Sequence, residues 1–114
     1  MTLDHFREFC LSFYDTTEDL PFDENTLVFK VLGKMFALTN LLNFEFINLK
    51  CSPEKATILR EEFMEVSPAY HMNKKHWNSI RVDGNISDMQ LKQSITDSYN
   101  LVVKNMSKKL RELL

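Results

Sequence analysis

Apolar residues near the start of the chain recur at helical spacing. Phe6, Phe9, Cys10 and Phe13 stand at i, i+3, i+4 and i+7, which predicts a one-faced amphipathic helix over residues 3–14. Residues 15–25 (DTTEDLPFDEN) are acidic, show no period and contain Pro21, so a loop is expected there. From Thr26 the pattern turns to β-branched and aromatic residues in two runs, TLVFKVL and MFALT. Gly33-Lys34 separates them, and Gly at the first central position suits a type II′ hairpin with Lys34 at its tip. A third strand is expected over residues 44–51 (FEFINLKC), with residues 40–43 as the connection.

Ser52-Pro53 marks a helix start, with Ser as cap and Pro at the first helical position. That helix should run to about Phe63 and turn Ala56, Leu59 and Phe63 inward. After Ser67-Pro68, the stretch AYHMNKKHWNSIRV holds two short strand-like runs around Asn73-Lys74-Lys75, a second hairpin with a basic tip. Two registers are open. A turn on Asn73-Lys74 sets His71 opposite His76 and Tyr70 opposite Trp77, whereas a turn on Lys74-Lys75 brings Met72 to Trp77 and separates the histidines.

Asp83-Gly84 ends that strand, and Ser87 with Gln90 fits a capping box. The helix that follows carries Leu91, Ile95, Tyr99, Val102 and Met106 on one stripe to about Asn105, and Ser107 caps a last short helix, KKLRELL. The order is helix, three strands, helix, two strands, helix, with a short helix at the end. Hairpin-linked strands imply an antiparallel sheet, and amphipathic helices must bury their stripes on it. The expected fold is a two-layer α+β sandwich, a single domain over residues 1–114.

Composition narrows the function classes. The 114 residues suffice for one core and leave little room for separate catalytic and cofactor domains. A net charge of −2 gives no whole-molecule attraction to nucleic acid or acidic membrane, so such a partner must meet a local patch. Charge is uneven, however: residues 1–57 carry 5 basic and 9 acidic side chains, and residues 58–114 carry 9 and 7. Apolar runs are too short for a membrane span. Cys10 and Cys51, with no secretory pattern before them, read as reduced thiols in a cytoplasmic protein.

Candidate chemistry is sparse. Two glycines cannot build a P-loop or a dinucleotide turn, and no G-x-S-x-G or H-E-x-x-H occurs. His71-x₄-His76 matches half of a zinc pair, but nothing supplies the other half. Cys10 falls on an apolar stripe, and Cys51 has no base placed beside it, so neither reads as a nucleophile. Glu18, Asp19, Asp23 and Glu24 lack the spacing of a calcium loop and are expected to be a solvated acidic segment. No metal or cofactor is expected. On the second hairpin, Lys74, Lys75 and Arg81 lie near His71, His76, Tyr70 and Trp77. Cations on a protruding tip suit phosphate contact, and rings suit stacking. Residue types alone still favour a solvated tip with Trp77 in the core.

The blocks PFDENTLVFKVLGKMFAL (21–38), INLKC (47–51), PAYHMNKKHWNSI (68–80), SYNLVV (98–103) and KKLREL (108–113) resemble the MmcQ/YjbR family in order and spacing over nearly the whole chain. YHMNK-x-HW (70–77) is the most specific of them. The resemblance implies a small bacterial cytoplasmic protein with a fold similar to secretion-chaperone-like domains. It also implies DNA binding by paired wing-like hairpins, with no enzymatic activity. Carried over, it points to His71, Asn73, Lys74, Lys75, His76 and Trp77, and on the first hairpin to Lys30 and Lys34. Ala69 stands where the family often has Gly, and Met106-Ser107 where Leu-Pro is common, which bears on local turn and cap geometry.

Three functions are therefore expected in descending order. The first is a non-enzymatic DNA-binding domain in which Lys34, Lys74, Lys75 and Arg81 meet phosphates, Asn73, His71 or His76 reach sugar or base edges, and about four contacts give a salt slope near −3.6, so binding is weak and salt-sensitive. The second is a protein-interaction or dimerising module using Tyr70, Trp77, Leu110, Leu113 and Leu114. The third, a ligand-binding or enzymatic pocket, requires His71, His76 and Cys51 to converge.

Overall fold

A computed structural model describes the whole chain, residues 1–114. In chain order the elements are α1 (Leu3–Leu11), β1 (Thr16–Asp19), β2 (Thr26–Val31), β3 (Lys34–Asn40), β4 (Phe46–Lys50), α2 (Pro53–Glu62), β5 (Val66–Pro68), β6 (Trp77–Arg81), α3 (Asp88–Lys104) and α4 (Lys108–Arg111). The strands form one sheet in the order β1-β2-β3-β4-β6-β5, with every neighbouring pair antiparallel. The expected two-layer α+β sandwich is the fold observed.

Side-chain alternation sends one set of strand residues to the helices. Leu27, Phe29, Val31, Phe36, Ile47, Leu49, Val66 and Ile80 join Phe6, Cys10, Leu91, Ile95, Tyr99 and Val102 in one core. α3 lies across β2, β3 and β4, with α1 against β1 and α2 against β5. Aromatic rings fill the α1 side: Phe6 meets Phe29 edge-on at 5.4 Å, and Phe13 stacks on Tyr99 at 4.5 Å. The opposite sheet face has no helical cover. Its apolar centre is Val28, Leu38, Ala69 and Trp77, flanked by Met35 and Met72.

Several expectations are corrected. Residues 15–25 are not all loop, because β1 pairs with β2 from Thr16↔Val31 to Asp19↔Val28. Its TTED sequence has no apolar period. The strand is held by backbone pairing and by Arg7, whose guanidinium clasps the Glu18 carboxylate at two points. The charged side chains of β1 suit a sheet edge, as does Pro68 in β5 at the other edge. α1 stops at Leu11 rather than Tyr14, and the Ser12 hydroxyl donates to the Phe9 carbonyl at 2.6 Å.

The first hairpin turns on Leu32-Gly33, not Gly33-Lys34. Both central residues have positive φ (47° and 80°) and Val31 pairs with Lys34, a type I′ turn. Lys34 is therefore the first residue of β3. Ser52 is extended before α2 but makes no side-chain cap, so Pro53 and the Ala56 amide bond to the Ser52 carbonyl set the start. At α3 only half of the capping box forms: Ser87 accepts from the Gln90 amide at 3.1 Å, while the Gln90 side chain donates to Ser94.

The second hairpin differs most. β5 and β6 pair Val66↔Ile80, Ser67↔Ser79 and Pro68↔Asn78, and residues 69–76 form a loop of two consecutive turns. The Met72 amide donates to Ala69, and the His76 and Trp77 amides both donate to Asn73. Neither His71–His76 nor Tyr70–Trp77 is a cross-strand pair. Met72 does reach the Trp77 cluster, by folding of the loop rather than by strand register. Ala69 is buried and has no positive φ, so a glycine is not required there. Ser107 caps α4 by accepting from the Leu110 amide at 3.1 Å.

Candidate functional site

Antiparallel pairing fixes which chain reversals share an end of the sheet. Because Ala37 pairs with Leu49 and Lys50 with Trp77, the β2–β3 turn and the loop at residues 69–76 emerge at the same end. Only β4 separates the two hairpins, so their midlines lie three strand spacings, about 14 Å, apart. Lys34, Lys74 and Lys75 are exposed at this end and form no ion pair. Lys50 closes β4 there, beside Lys55 and Lys104 in a small cleft with Cys51 and Asp97. Asp97 is paired with Lys55 at 2.7 Å. The opposite end gathers Asp23, Glu24, Glu45, Glu65 and Asp83, at the starts of β2, β4 and β5 and the close of β6. Each end draws on both halves of the sequence, so the charge asymmetry runs along the strands rather than from one half of the chain to the other.

The remaining candidates fall elsewhere. Lys30 points to the uncovered face and meets Asp19 at 3.5 Å. Arg81 sits near the acidic end, bound to Asp83 at 2.7 Å and to Glu45 at 3.5 Å, with its guanidinium 5.5 Å from the Phe46 ring centre. Those carboxylates hold the Arg81 guanidinium in its charged form, the Asp83 hydrogen bond most of all. Trp77 is 7% exposed and forms a floor, not a projecting wedge. Asn73 organises the loop by accepting from the Lys75 amide at 3.0 Å. Tyr70 is 68% exposed, with Lys74 Nζ 5.1 Å from its ring centre.

Two further lysines and one arginine escaped sequence reading. Lys50 and Lys104 join the basic end only through the fold. Arg60, in the last turn of α2, donates to Asn78 Oδ1 at 2.7 Å and to the carbonyls of Lys74 and Trp77, and so ties the basic loop to the helical layer. A basic residue in a last helical turn is a sequence signal, but a generic one.

A second feature is a cleft of about 860 Å³ on the uncovered face. Leu38, Met35, Met72 and Trp77 line its floor, with Phe22 and Phe46 beside them. Its polar wall includes Asn48, which accepts from Ser79 at 2.5 Å, together with His71, Asp23 and Glu45. His71 and Cys51 line different clefts, and His76 lines neither. No three His, Cys, Asp or Glu side chains cluster as a metal site. Burial pushes the Cys10 thiol far above its ordinary range and raises Cys51 as well. No helix is long and apolar enough to cross a membrane.

Residues 11–101 match the family model described as YjbR. The chain belongs to the YjbR family. It is 42% identical over 90 residues to the Escherichia coli O157:H7 protein YbdF, spanning 78% of this chain and 74% of that one. It is 30% identical to YjbR of Escherichia coli strain K12 across 100% of this chain and 98% of that one. Both are described as uncharacterized. Among solved structures, the Deinococcus radiodurans protein DR2400, a DUF419 domain, superposes with a TM-score of 0.91 at 37% identity, covering 98% of this chain and 86% of its own. A Pseudomonas syringae protein aligns at TM-score 0.74 and 28% identity, over 90% of this chain and 99% of its own. The blocks that carry the YjbR resemblance reach the uncovered-face cleft as well as the basic end: Phe22 and Asp23 from the first, Asn48 from the second, and His71, Met72 and Trp77 from the third.

Proposed function

We propose that this YjbR-family protein is a non-enzymatic DNA-binding domain that meets backbone phosphates with the basic end of its sheet. The observation that carries the reading is the emergence of Lys34 beside the β2–β3 turn, and of Lys74 and Lys75 in the loop at residues 69–76, at one end of the sheet without ion-pair partners. Arg81, committed to Asp83 and Glu45 at the other end, leaves the set of phosphate contacts. Three contacts give an expected slope of log K against log salt of about −2.7, a loss of about 40-fold between 50 and 200 mM salt. Phosphate contacts carry no base information, so binding through them is sequence-tolerant.

Anisotropy of a labelled 20-base-pair duplex, titrated at several salt concentrations, tests this. The triple variant Lys34→Ala, Lys74→Ala, Lys75→Ala should reduce the magnitude of the slope by about 2.7, leaving only what the neighbouring Lys50 and Lys104 contribute. An unchanged slope rules out the wing assignment. A second reading, an interaction module, draws support from the uncovered sheet face rather than from Tyr70 and Trp77 acting together, because Trp77 is buried.

A further inference from the structure

The geometry points to a binding site for a small organic cation with an aromatic or aliphatic body in the cleft on the uncovered sheet face. This inference stands apart from DNA binding, which uses the basic end of the sheet. Three observations support it.

The first is shape and floor. A volume of about 860 Å³ falls within the ~300–1,000 Å³ usual for ligand clefts. Trp77, Leu38, Met35 and Met72 supply an apolar base, and Phe22 at 64% exposure and Phe46 at 37% present ring surface to an incoming group.

The second is charge. Two carboxylates, Asp23 and Glu45, line the cleft, and no lysine or arginine does. Asp23 accepts hydrogen bonds from the Asn25 amide, the Thr26 hydroxyl and the Thr26 amide, which hold its carboxyl below the usual carboxylate range and keep it anionic at neutral pH.

The third is an intramolecular precedent. The Arg81 guanidinium packs against the Phe46 ring and lies 3.5 Å from Glu45, at the cleft's edge. A cation held by an aromatic face and a carboxylate is the contact a ligand would reproduce on Phe22 and Asp23, with its apolar body over the cleft floor. Arg81 thereby competes for Glu45, and its removal should strengthen ligand binding.

Trp77 is the chain's only tryptophan and lies in the cleft floor, so its fluorescence reports occupancy directly. The probe is phenethylammonium, with phenylacetate and phenethyl alcohol as anionic and neutral counterparts. Saturable change in Trp77 emission is expected with the cation, at an affinity about tenfold above either counterpart. Glu45→Gln, which keeps an acceptor for Asn43, should weaken the cation about threefold, and Arg81→Ala should tighten it by a similar factor. The Lys34, Lys74, Lys75 triple alanine variant should bind it unchanged even if DNA binding is abolished. Equal response to all three probes, no saturation, or an affinity indifferent to both Glu45→Gln and Arg81→Ala overturns the proposal. The far-UV spectrum of each variant separates these results from loss of fold.

Discussion

The Ser98 hydroxyl donates to the Phe36 carbonyl at 2.5 Å, in the middle of the contact between α3 and the sheet. The register of β2 against β3 slips beside Phe36, where Phe29 pairs with Ala37 and Lys30 with Met35. The β3–β4 pairing stops at Ala37↔Leu49, one residue short of Phe36 and Lys50. The same hydroxyl accepts from the Lys50 amide at 2.8 Å, where the β3–β4 pairing ends. One fully buried side chain therefore satisfies two main-chain groups beside the basic end. Ser98→Ala should cost about 2–3 kcal/mol in denaturant unfolding, because both groups lose their partner inside the protein. A loss below about 0.5 kcal/mol would mean that water replaces the hydroxyl.

Arg60 controls the order of the basic loop. Arg60→Met keeps much of the apolar stem but removes the bonds to Asn78 and to the Lys74 and Trp77 carbonyls. Faster hydrogen exchange is expected at the His76 and Trp77 amides, whose acceptor is the Asn73 carbonyl, with a stability loss of about 1–2 kcal/mol. Unchanged exchange at those amides would assign the loop's order to its own turns.

Arg81 and the lysines should separate in a salt titration. Arg81→Gln lies at the acidic end and gives up ion pairs rather than free charge, so the duplex-binding slope should stay near the wild-type value. A slope reduced by about 0.9 would return Arg81 to the phosphate-contact set.

The thiols make a pH prediction. Burial raises the Cys10 pKa, with the Glu18 charge acting in the same direction, so the folded state keeps the proton. The unfolded chain releases it above about pH 8.5, where it binds fewer protons than the folded chain. Stability is therefore intact below that pH and falls above it, by about 1.4 kcal/mol per pH unit from Cys10. Disulfide-exchange titration at pH 8 should find Cys10 unreactive in the native protein and both thiols reactive in denaturant. Prompt native reaction at Cys10 would contradict its burial.

Gly33→Ala isolates the cost of the first turn. A Cβ there meets nothing within 4 Å, so the whole effect comes from holding φ at +80°, about 1 kcal/mol. Gly84→Ala acts differently, since its Cβ would lie 2.4 Å from Glu65 Cγ and displace the carboxylate that accepts from the Asn85 amide. A loss below about 0.3 kcal/mol for Gly33→Ala would show that the turn carries no backbone strain.

Amphipathic spacing was enough to place α1, α2, α3 and the β2–β3 hairpin, because one buried face imposes a local period on each. β1 was illegible for the converse reason: TTED buries little and owes its place to backbone pairing and to Arg7. The turn shifted by one residue because Leu32 occupies a left-handed conformation that residue type alone disfavours. The loop at residues 69–76 has strand-like composition, yet Asn73 and Arg60 draw its hydrogen bonds into turns. Residue types and their order were sufficient for an α+β domain of the YjbR family with lysines near its reversals. Only the tertiary structure decided that Lys34, Lys74 and Lys75 share one end, that Arg81 belongs to the other, and that Phe22, Asn48 and Trp77 meet in a cleft. Those relations depend on strand order and register, which are set by contacts between segments far apart in the chain and leave no local period to read.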